Sequence, residues 1–583
     1  MQQISFSYSP NKIQQLFVEK ILESLYIGTL DSYRLRLHNP KTAIEELVHV
    51  TNQVKENILQ RGEYVTEISN EVRSLIQDES DGLMFISISR EYYKKIIEAH
   101  KKENYNKIIQ SSKIVLKDNL DYRNQLIVKV KKCIDVYIGG EIGEPEKLLA
   151  LIEYSLIELV NMGYTKQYLY RFLRTILVHT GDESMSFDIR FLEYQKLFNR
   201  SESNYTVIFK INSGKFQFSE LSQIDSKYIQ INQLFRSRNF AELSEQVSKF
   251  LEENKTNKLI GLKVTALDHY KAIEISRTKL EKDLDLYHLG FSGISNSIDH
   301  QAAVISEENP SKASTAPSNY QLEGFTRGDK HIFEKLLEKV QRLNSNSVTN
   351  ESIEKLSAGF RYLRMGSEAA ELETKMLNFW IGLEFVFTSF NSDEKSIDRI
   401  RNFFPVCHSL IYVRRNLYDF HKSLSRLKLD SSIDEYSDDL EYLSKYNTYK
   451  KIIEDSSSIL LQLRAKKLQE WSSDPSTLGG RLFTHSNNLK WNISRLYRIR
   501  NEIVHNAATK TSISANVSHL KYYLTFILNS MLEFLSDTPV DIDSDGRVTI
   551  EDYFISQDII FGSLKNKPLR EYIKIANPIE MLF

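Results

Sequence analysis

The chain has 583 residues, a formal net charge of −1, and 41% hydrophobic and 26% charged residues. Its length exceeds the needs of one hydrophobic core and predicts about two to four domains. The composition excludes a disordered or fibrous protein, and the balanced charge excludes a whole-molecule field that attracts nucleic acid.

Several common classes of protein find no support in the sequence. The two cysteines, Cys133 and Cys407, lie far apart, which argues against a disulfide framework or a zinc site. Phosphate-loop, dinucleotide-binding, zinc-protease, paired-cysteine and serine-hydrolase motifs are absent. The N-terminus lacks a basic and then apolar signal, and no apolar run reaches about 18 residues. We therefore predict a cytoplasmic protein that needs no cofactor and does not enter a membrane.

The low content of helix breakers, with 10 prolines and 21 glycines, predicts a mainly α, multidomain protein. Residues 1–202 carry apolar residues at helical spacing and are predicted to form an N-terminal helical domain. The predicted helices include Lys12–Leu25, Thr42–Leu59, Glu91–His100, Pro145–Met162 and Tyr164–His179.

Residues 203–306 break this pattern and are predicted to form a small α+β module. A hairpin is expected where Tyr205–Ile211 and Lys215–Phe218 flank the turn at residues 212–214. The other predicted elements are strands at Leu259–Thr265 and Ala302–Ile305 and helices near Ser226–Leu251 and Ala266–Leu289. Residues 307–328, which contain two prolines, are predicted to be a linker.

Residues 329–536 return to helical periodicity and are predicted to form a helical bundle with a helical insertion at 392–480. The predicted helices are His331–Leu343, Glu351–Met365, Glu368–Phe390, Lys395–Leu427, Asp439–Trp471 and about Asn516–Leu535. A turn-rich loop is expected at 474–480, and a further helix is expected to begin near Asn487. Residues 537–583 are left as a C-terminal extension.

Within that further helix, an arginine, an amide and a histidine follow one another closely. Asn501 and His505 are four residues apart and share a helix face, while Arg500 lies about 140° from His505, within reach of a flexible guanidinium. Arginine holds phosphate oxygens and histidine transfers protons near neutral pH, so this grouping suits chemistry on a phosphodiester.

The spacing Arg-x4-His is weak by itself, because it occurs a second time at Arg174 and His179. There a threonine replaces the amide, and a polar pair on a helix surface is the better interpretation. A surface pair is also the alternative for Arg500 and His505. The match at Arg500 and His505 is preceded by three basic residues that are predicted to contact RNA, namely Lys490, Arg495 and Arg498.

Glu384 flanks the apolar face of the predicted helix Glu368–Phe390 and could pair with Arg500 across the bundle. The alternative is a solvated carboxylate at the boundary of an amphipathic helix. The two interpretations stay open at the level of the sequence.

Two stretches resemble the HEPN superfamily of ribonucleases, particularly its Apea-like branch, which is associated with bacterial anti-phage defence. The segment R-N-E-I-V-H, from Arg500 to His505, is similar to the R-x(4–6)-H signature of that superfamily. The segment L-N-F-W-I-G-L-E-F-V-F, Leu377 to Phe387, is similar to an earlier core helix that carries an acidic residue. The resemblance covers about residues 330–536, and the insertion at about 392–480 departs from the family pattern.

The resemblance implies a metal-independent endoribonuclease. The RNA 2′-hydroxyl would attack the adjacent phosphate and leave a 2′,3′-cyclic phosphate and a 5′-hydroxyl. His505 would act as general base or acid, Arg500 would stabilise charge on the phosphoryl oxygens, and Asn501 would orient one of them. Glu384 and Glu502 would support these groups.

The resemblance also implies partners and a biological setting. A homodimer would build the site at its two-fold interface, and RNA, tRNA included, would be the substrate. Such an activity is toxic to its host, which suits an abortive-infection effector held inactive by the first 330 residues until a phage-derived trigger arrives. The alternative is a non-catalytic RNA-binding or dimerisation protein built on the same bundle.

One further motif lies in the C-terminal extension. Asp541, Asp543 and Asp545 occupy positions 1, 3 and 5 of an EF-hand-like calcium loop, and Asp552 occupies position 12. Position 12 is normally Glu, and Pro539 prevents a helix from running directly into the loop. An Asp-rich turn without metal is the preferred interpretation, with calcium as the weaker alternative.

Overall fold

The computed structural model describes residues 4–59, 62–77, 84–98, 102–136, 145–179, 185–212, 218–231, 243–254, 258–290, 296–324, 328–343, 345–389, 394–506, 513–564 and 566–580. The protein is mainly α with one five-stranded antiparallel sheet, as the composition predicts. It divides into two compact units, Met1–Ser155 with Leu322–Phe583 and Leu156–Gln321. The first unit therefore joins the N-terminal helices to the predicted bundle.

The described residues contain 22 α-helices. They are α1 Lys12–Leu25, α2 Pro40–Lys55, α3 Glu63–Gln77, α4 Arg90–Glu98, α5 Tyr105–Asp118, α6 Tyr122–Asp135, α7 Pro145–Met162, α8 Lys166–Val178, α9 Phe187–Lys196, α10 Phe218–Ile224, α11 Glu245–Glu253, α12 His269–Gly290, α13 Lys330–Leu343, α14 Asn350–Glu368, α15 Leu372–Phe387, α16 Ser396–Arg426, α17 Tyr446–Asp455, α18 Ile459–Ser473, α19 Pro475–Asn506, α20 Ser514–Asp537, α21 Ile550–Leu564 and α22 Leu569–Ile573. The strands are β1 Ser203–Asn212, β2 Tyr228–Gln230, β3 Lys258–Ala266, β4 Ser297–Ser306 and β5 Ser314–Pro317.

Local capping explains where the N-terminal helices begin. Asn11 accepts a hydrogen bond from the Gln14 backbone N–H at 2.9 Å, and the Gln14 side chain returns one to the Asn11 N–H at 3.0 Å. The sequence predicts the bounds of α1 without error. Helix α2 begins two residues before the predicted Thr42, because Asn39 caps it and Pro40 suits the first helical position.

Helix α19 is longer than the sequence predicts. It begins at Pro475 because the Asp474 side chain accepts hydrogen bonds from the Ser476 backbone N–H at 2.9 Å and from Thr477 Oγ1 at 2.7 Å. The predicted loop at 474–480 and the predicted start near Asn487 are therefore wrong. The helix continues to Asn506 and carries the motif at its C-terminal end.

The bundle core lies between α14, α15 and α20. Helix α15 buries Phe379, Trp380 and Leu383 completely. Gly382 allows the close approach of the neighbouring helices, since a Cβ there would lie 2.9 Å from Tyr362 Cβ and 3.0 Å from Leu524 Cδ2. The same core includes residues of α21, so part of the predicted C-terminal extension belongs to the bundle.

The predicted insertion contains three helices, α16, α17 and α18. Helix α16 has 31 residues with Pro405 inside it, and its C-terminal half packs with α17 and α18 in a second apolar cluster. Ser458 caps α18 at the break between the last two helices. Glu19 of α1 accepts a hydrogen bond from the Leu460 backbone N–H at 2.8 Å, so the insertion is anchored to the N-terminal helices.

The second compact unit contains the sheet, in the order β2-β3-β1-β4-β5 with each of its four neighbouring strand pairs antiparallel. Val207 of the central strand pairs with Leu262 of β3 and Val304 of β4. Val207 and Phe209 belong to the core that α12 covers, and Ile208 belongs to the core that α11 covers. Burial on both faces explains the continuous apolar run of β1.

Three predictions for this region need correction. The predicted hairpin does not form as expected, because both edges of β1 are taken by β3 and β4, Phe218 begins α10, and residues 213–217 lie outside the described residues. Residues 228–230 are a strand where a helix was expected. Residues 314–317 of the predicted linker are an edge strand, where proline is tolerated. The predicted limits 203 and 306 mark the ends of β1 and β4, inside the larger compact unit.

Candidate functional site

The motif residues occupy the end of α19, opposite α15. Arg500 Nη1 donates a hydrogen bond to Asn501 Oδ1 at 3.0 Å, and Arg500 Nη2 lies 3.8 Å from Glu384 Oε2. The Arg500 and Glu384 side chains are 27% and 31% exposed, so the pair is open to solvent and to a ligand. Arginine, amide and carboxylate therefore meet, which favours the ion pair among the two interpretations that the sequence left open for Glu384.

The carboxylate of Glu384 is held from its own helix. Trp380, one turn earlier, donates its indole Nε1–H to Glu384 Oε2 at 3.2 Å. The Trp380 ring is fully buried and packs 5.6 Å from the Tyr497 ring of α19. A buried indole therefore fixes the side of α15 that faces the motif helix.

His505 lies in the last turn of α19 and is exposed. Among the described residues, no hydrogen bond joins Arg500 to His505, and the expectation that the guanidinium reaches this imidazole is not met. Arg500 turns instead toward Asn501 and Glu384. Residues 507–512, which follow the motif, lie outside the described residues.

Glu502 faces a different neighbour from Arg500. Its Oε1 lies 3.2 Å from His49 Nε2 and accepts a hydrogen bond from Gln53 Nε2 at 2.8 Å. Both partners belong to α2, more than 440 residues away in the sequence. The hydrogen bond from His49 is the main cause that lowers the pKa of Glu502 below its usual range. Glu502 is therefore an ionised carboxylate between α2 and the motif.

Arg495 and Arg498, which were predicted to contact RNA, are only 6% and 4% exposed. Arg495 donates hydrogen bonds to both carboxylate oxygens of Glu46, at 3.1 Å from Nε and 2.8 Å from Nη2, and also contacts Glu71. Arg498 Nη2 donates to Glu46 Oε1 at 2.6 Å. The structure contradicts the predicted RNA contacts, because these buried guanidinium groups pair with half-buried carboxylates of α2 and α3.

The electrostatics of this buried cluster are those of ion pairs. Burial alone would raise the pKa of Glu46, but Arg495 and His38 outweigh burial and hold that pKa well below its usual range. Burial lowers the pKa of His38, whose Nε2 lies 3.1 Å from Glu46 Oε2. Burial would lower the pKa of Arg495, but Glu46 and Glu71 raise it. We name this cluster of His38, Glu46, Glu71, Arg495 and Arg498 the arginine clamp.

Lys490 and the second Arg-x4-His segment, Arg174 to His179, lie outside the arginine clamp. Lys490 is half-buried on α19, and its RNA contact stays a prediction. Arg174 lies on α8, where its Nη1 is 3.4 Å from the Tyr170 hydroxyl. His179 is the C-terminal cap residue of that helix. In the described residues no carboxylate approaches Arg174 as Glu384 approaches Arg500.

The Asp-rich turn brings three of its four predicted ligands together. Oxygens of Asp541, Asp543 and Asp552 lie within 4.8 Å of one another, and Asp545 is outside this group. Backbone N–H groups of the turn already donate to these carboxylates, for example Gly546 to Asp541 at 2.8 Å. Asp552 also caps α21 by accepting from the Thr549 N–H at 2.8 Å. The carboxylates therefore accept hydrogen bonds from the turn itself, and calcium binding by these residues stays the weaker alternative.

Several residues around the motif were missed by the sequence analysis. They are His49 and Gln53 beside Glu502, and the clamp residues His38, Glu46 and Glu71. All lie on α2 and α3 or just before them. No local pattern in those helices points to residues 495–502, so only tertiary structure could find them. The indole of Trp380 had a signal, since it precedes Glu384 by one helical turn.

No family model, no curated protein and no solved structure matches this chain. Within the described part of the chain, none of the helices combines the length and the apolar character that crossing a membrane requires.

Proposed function

We propose that this protein is a metal-independent endoribonuclease of the HEPN type. The observation that carries the proposal is the meeting of Arg500 with Asn501 and Glu384, one helical turn before an exposed His505. A cation, an amide and a titratable ring at an open surface are the groups that cleavage of a phosphodiester requires. The resemblance of residues 330–536 to that superfamily adds to this reasoning.

The proposed reaction is an internal transesterification of RNA. The 2′-oxygen loses its proton to a base and attacks the neighbouring phosphorus, the bond from phosphorus to the 5′-oxygen breaks, and that oxygen takes up a proton. Arg500 binds the phosphoryl oxygens as their charge grows, and Asn501 orients one of them. His505 transfers a proton. The products are a 2′,3′-cyclic phosphate and a 5′-hydroxyl.

A homodimer is part of the proposal. Ile381 and Phe385 on α15 flank Glu384 in the sequence, and Val504 precedes His505; these three apolar side chains are 37%, 40% and 49% exposed. Exposed apolar groups around polar site residues favour burial against a second copy. The dimer would act in the cytoplasm.

Control of the ribonuclease activity by the N-terminal region is the second part of the proposal. The arginine clamp and the contacts of His49 and Gln53 with Glu502 hold α2 against the motif helix. A phage-derived trigger that moves α2 would therefore change the surroundings of the motif. This supports an abortive-infection effector whose toxic activity is released on infection.

The second candidate function is a non-catalytic dimerisation module on the same bundle. The exposed side chains of Ile381, Phe385 and Val504 favour it as well, because they call for a partner and not for a reaction. Its RNA-binding form has less support, since Arg495 and Arg498 are buried.

The experiment combines purified protein with total RNA and with tRNA in excess EDTA, beside the variant His505→Ala. We expect the wild-type protein to produce fragments with cyclic-phosphate ends and the variant to lose about 10²–10⁴-fold in rate, the usual contribution of a proton-transfer group. RNA binding by the variant should persist. Equal cleavage by both proteins would refute the role of His505, and cleavage that EDTA abolishes would refute the metal-independent mechanism.

A further inference from the structure

A second histidine lies beside the motif. His49, on α2, points its Nε2 at Glu502 Oε1 over 3.2 Å, and the His49 side chain remains 45% exposed. Gln53, one turn further along α2, donates to the same oxygen at 2.8 Å. Among the described residues, Nδ1 of His49 has no hydrogen-bond partner. A solvent-facing imidazole is therefore oriented by a carboxylate through one nitrogen and open at the other.

The position of Glu502 brings this imidazole to the motif. Glu502 and His505 are three residues apart on α19, about 60° apart around the helix axis, and such residues are surface neighbours with Cβ atoms about 5–6 Å apart. Asn501 lies on the other side of His505 at about 40°. His505 is thus placed between the Arg500–Asn501–Glu384 group and the His49–Glu502 pair.

The proposed reaction requires two proton transfers, and the motif supplies one histidine for them. One group must take the proton of the 2′-hydroxyl, and another must give a proton to the departing 5′-oxygen. His38, the other histidine of this region that contacts a carboxylate, is half-buried in the arginine clamp. It faces Glu46, so it is not placed to meet a substrate.

We propose that His49 is the general acid that protonates the 5′-oxygen, with Glu502 as its positioning residue and His505 as the base. The inference rests on the ribonuclease function proposed above. In the protonated state His49 donates from Nε2 to Glu502 and presents Nδ1–H to the leaving oxygen. When the bond from phosphorus to the 5′-oxygen breaks, the Nδ1 proton moves to that oxygen, and neutral His49 keeps its hydrogen bond with Glu502.

The surroundings of Glu502 fit this role. Its lowered pKa keeps the carboxylate ionised, so it accepts the hydrogen bond that orients the His49 ring. In the triad of serine hydrolases a carboxylate orients a histidine in the same way. The arginine clamp holds α2 on α19 just before this point, because Arg495 and Arg498 bind Glu46 of the same helix as His49. The clamp therefore fixes the distance between the two histidines.

The test compares two RNA oligonucleotides that differ at one atom. One carries the normal 5′-oxygen at the cleavable bond, and the other carries sulfur there, which leaves as a thiolate without needing a proton. We expect His49→Gln to lose about 10²–10⁴-fold on the oxygen substrate and less than about tenfold on the sulfur substrate. Glutamine keeps a donor for Glu502, so the fold should persist, as thermal unfolding would check. Glu502→Gln should show a smaller loss that is also confined to the oxygen substrate.

The controls separate this inference from the function on which it rests. His331→Gln changes an exposed histidine on α13 and should leave both rates unchanged. Equal loss on both substrates would assign His49 a structural role and overturn the inference. No loss on either substrate would also overturn it and would favour His505 of a second copy as the acid. A wild-type protein that cleaves neither substrate would contradict the ribonuclease proposal itself.

Discussion

The two Arg-x4-His segments of this chain share a spacing and differ in their surroundings. Arg500 contacts the amide of Asn501 and the carboxylate of Glu384, and His505 is exposed. On the same helix, Glu502 accepts a hydrogen bond from Gln53 of α2. Arg174 approaches a tyrosine hydroxyl, and His179 caps the end of α8. The two segments therefore differ through neighbours from distant parts of the chain, such as Glu384, and not through their spacing.

The same helix contains a second contrast, between its arginines. Arg500 keeps an open side, whereas Arg495 and Arg498 are buried against Glu46. A buried arginine with carboxylate partners binds helices together, and an open one can bind a ligand. Along α19, Arg495 and Arg498 therefore hold helices together, whereas Arg500 keeps a side that is open to a ligand.

The largest expected effect comes from breaking the arginine clamp. Arg495→Ala removes a buried guanidinium and leaves the half-buried carboxylates of Glu46 and Glu71 without this partner, which should lower the free energy of unfolding by about 3 kcal/mol. Lys490→Ala, on the same helix but only half-buried, should change it by less than about 0.5 kcal/mol. Urea denaturation followed by circular dichroism measures both. Similar stability of the two variants would show that the clamp is not structural.

The second prediction tests the comparison between the two segments directly. Arg500→Ala removes the cation that is proposed to bind the phosphate and should lower kcat/KM for RNA about 10²–10³-fold. Arg174→Ala is the matched control and should leave kcat/KM unchanged. Steady-state cleavage of one labelled RNA gives both values. If the two variants lost activity equally, the surroundings of Arg500 would not be what distinguishes it.

The third prediction concerns the stability of the fold at acid pH. The pKa of Glu46 is lower in the folded protein than its ordinary value of 4.5, so its contribution to stability is present above that pH and is lost as the pH falls toward the folded pKa. His38, lowered from 6.5 by burial, also favours unfolding as the pH falls below that value. Urea midpoints should therefore decrease from about pH 6 to pH 3. Glu46→Gln should be less stable at pH 7 and show a shallower decrease below pH 5; parallel curves would contradict the assignment.

The smallest expected effect belongs to Glu384. Glu384→Gln keeps an acceptor for Trp380 and removes a partly exposed ion pair, which is worth about 1 kcal/mol or less and hence about fivefold in cleavage rate. Glu368→Gln, which disrupts the exposed pair with Arg364, should have no effect on cleavage. A loss above about a hundredfold for Glu384→Gln would place this carboxylate in the proton transfers instead of beside them.

The sequence predicted a useful part of the site. The motif of Arg500, Asn501 and His505 was found from spacing and residue chemistry. Glu384 was found at the edge of an apolar helix face, but the sequence left open whether it pairs with Arg500 or is only solvated. Their catalytic roles stay predictions. The basic residues Arg495 and Arg498 were interpreted incorrectly as RNA contacts. A positive charge in the sequence does not show whether the folded protein pairs it with a carboxylate from another helix, as Glu46 does here.

The mainly α class, the bounds of α1 and α7, and the central strands of the sheet could be predicted from the sequence, because they depend on periodicity and capping within one segment. Three features depend on contacts between distant segments. The helices divide between two compact units, and β5 pairs with β4 as an edge strand of the sheet. Helix α2 brings His49 and Glu46 to α19. The contacts of α2 with α19 join residues more than 440 positions apart. Their energies come from buried ion pairs and hydrogen bonds that exist only after the chain has folded, so no local pattern encodes them.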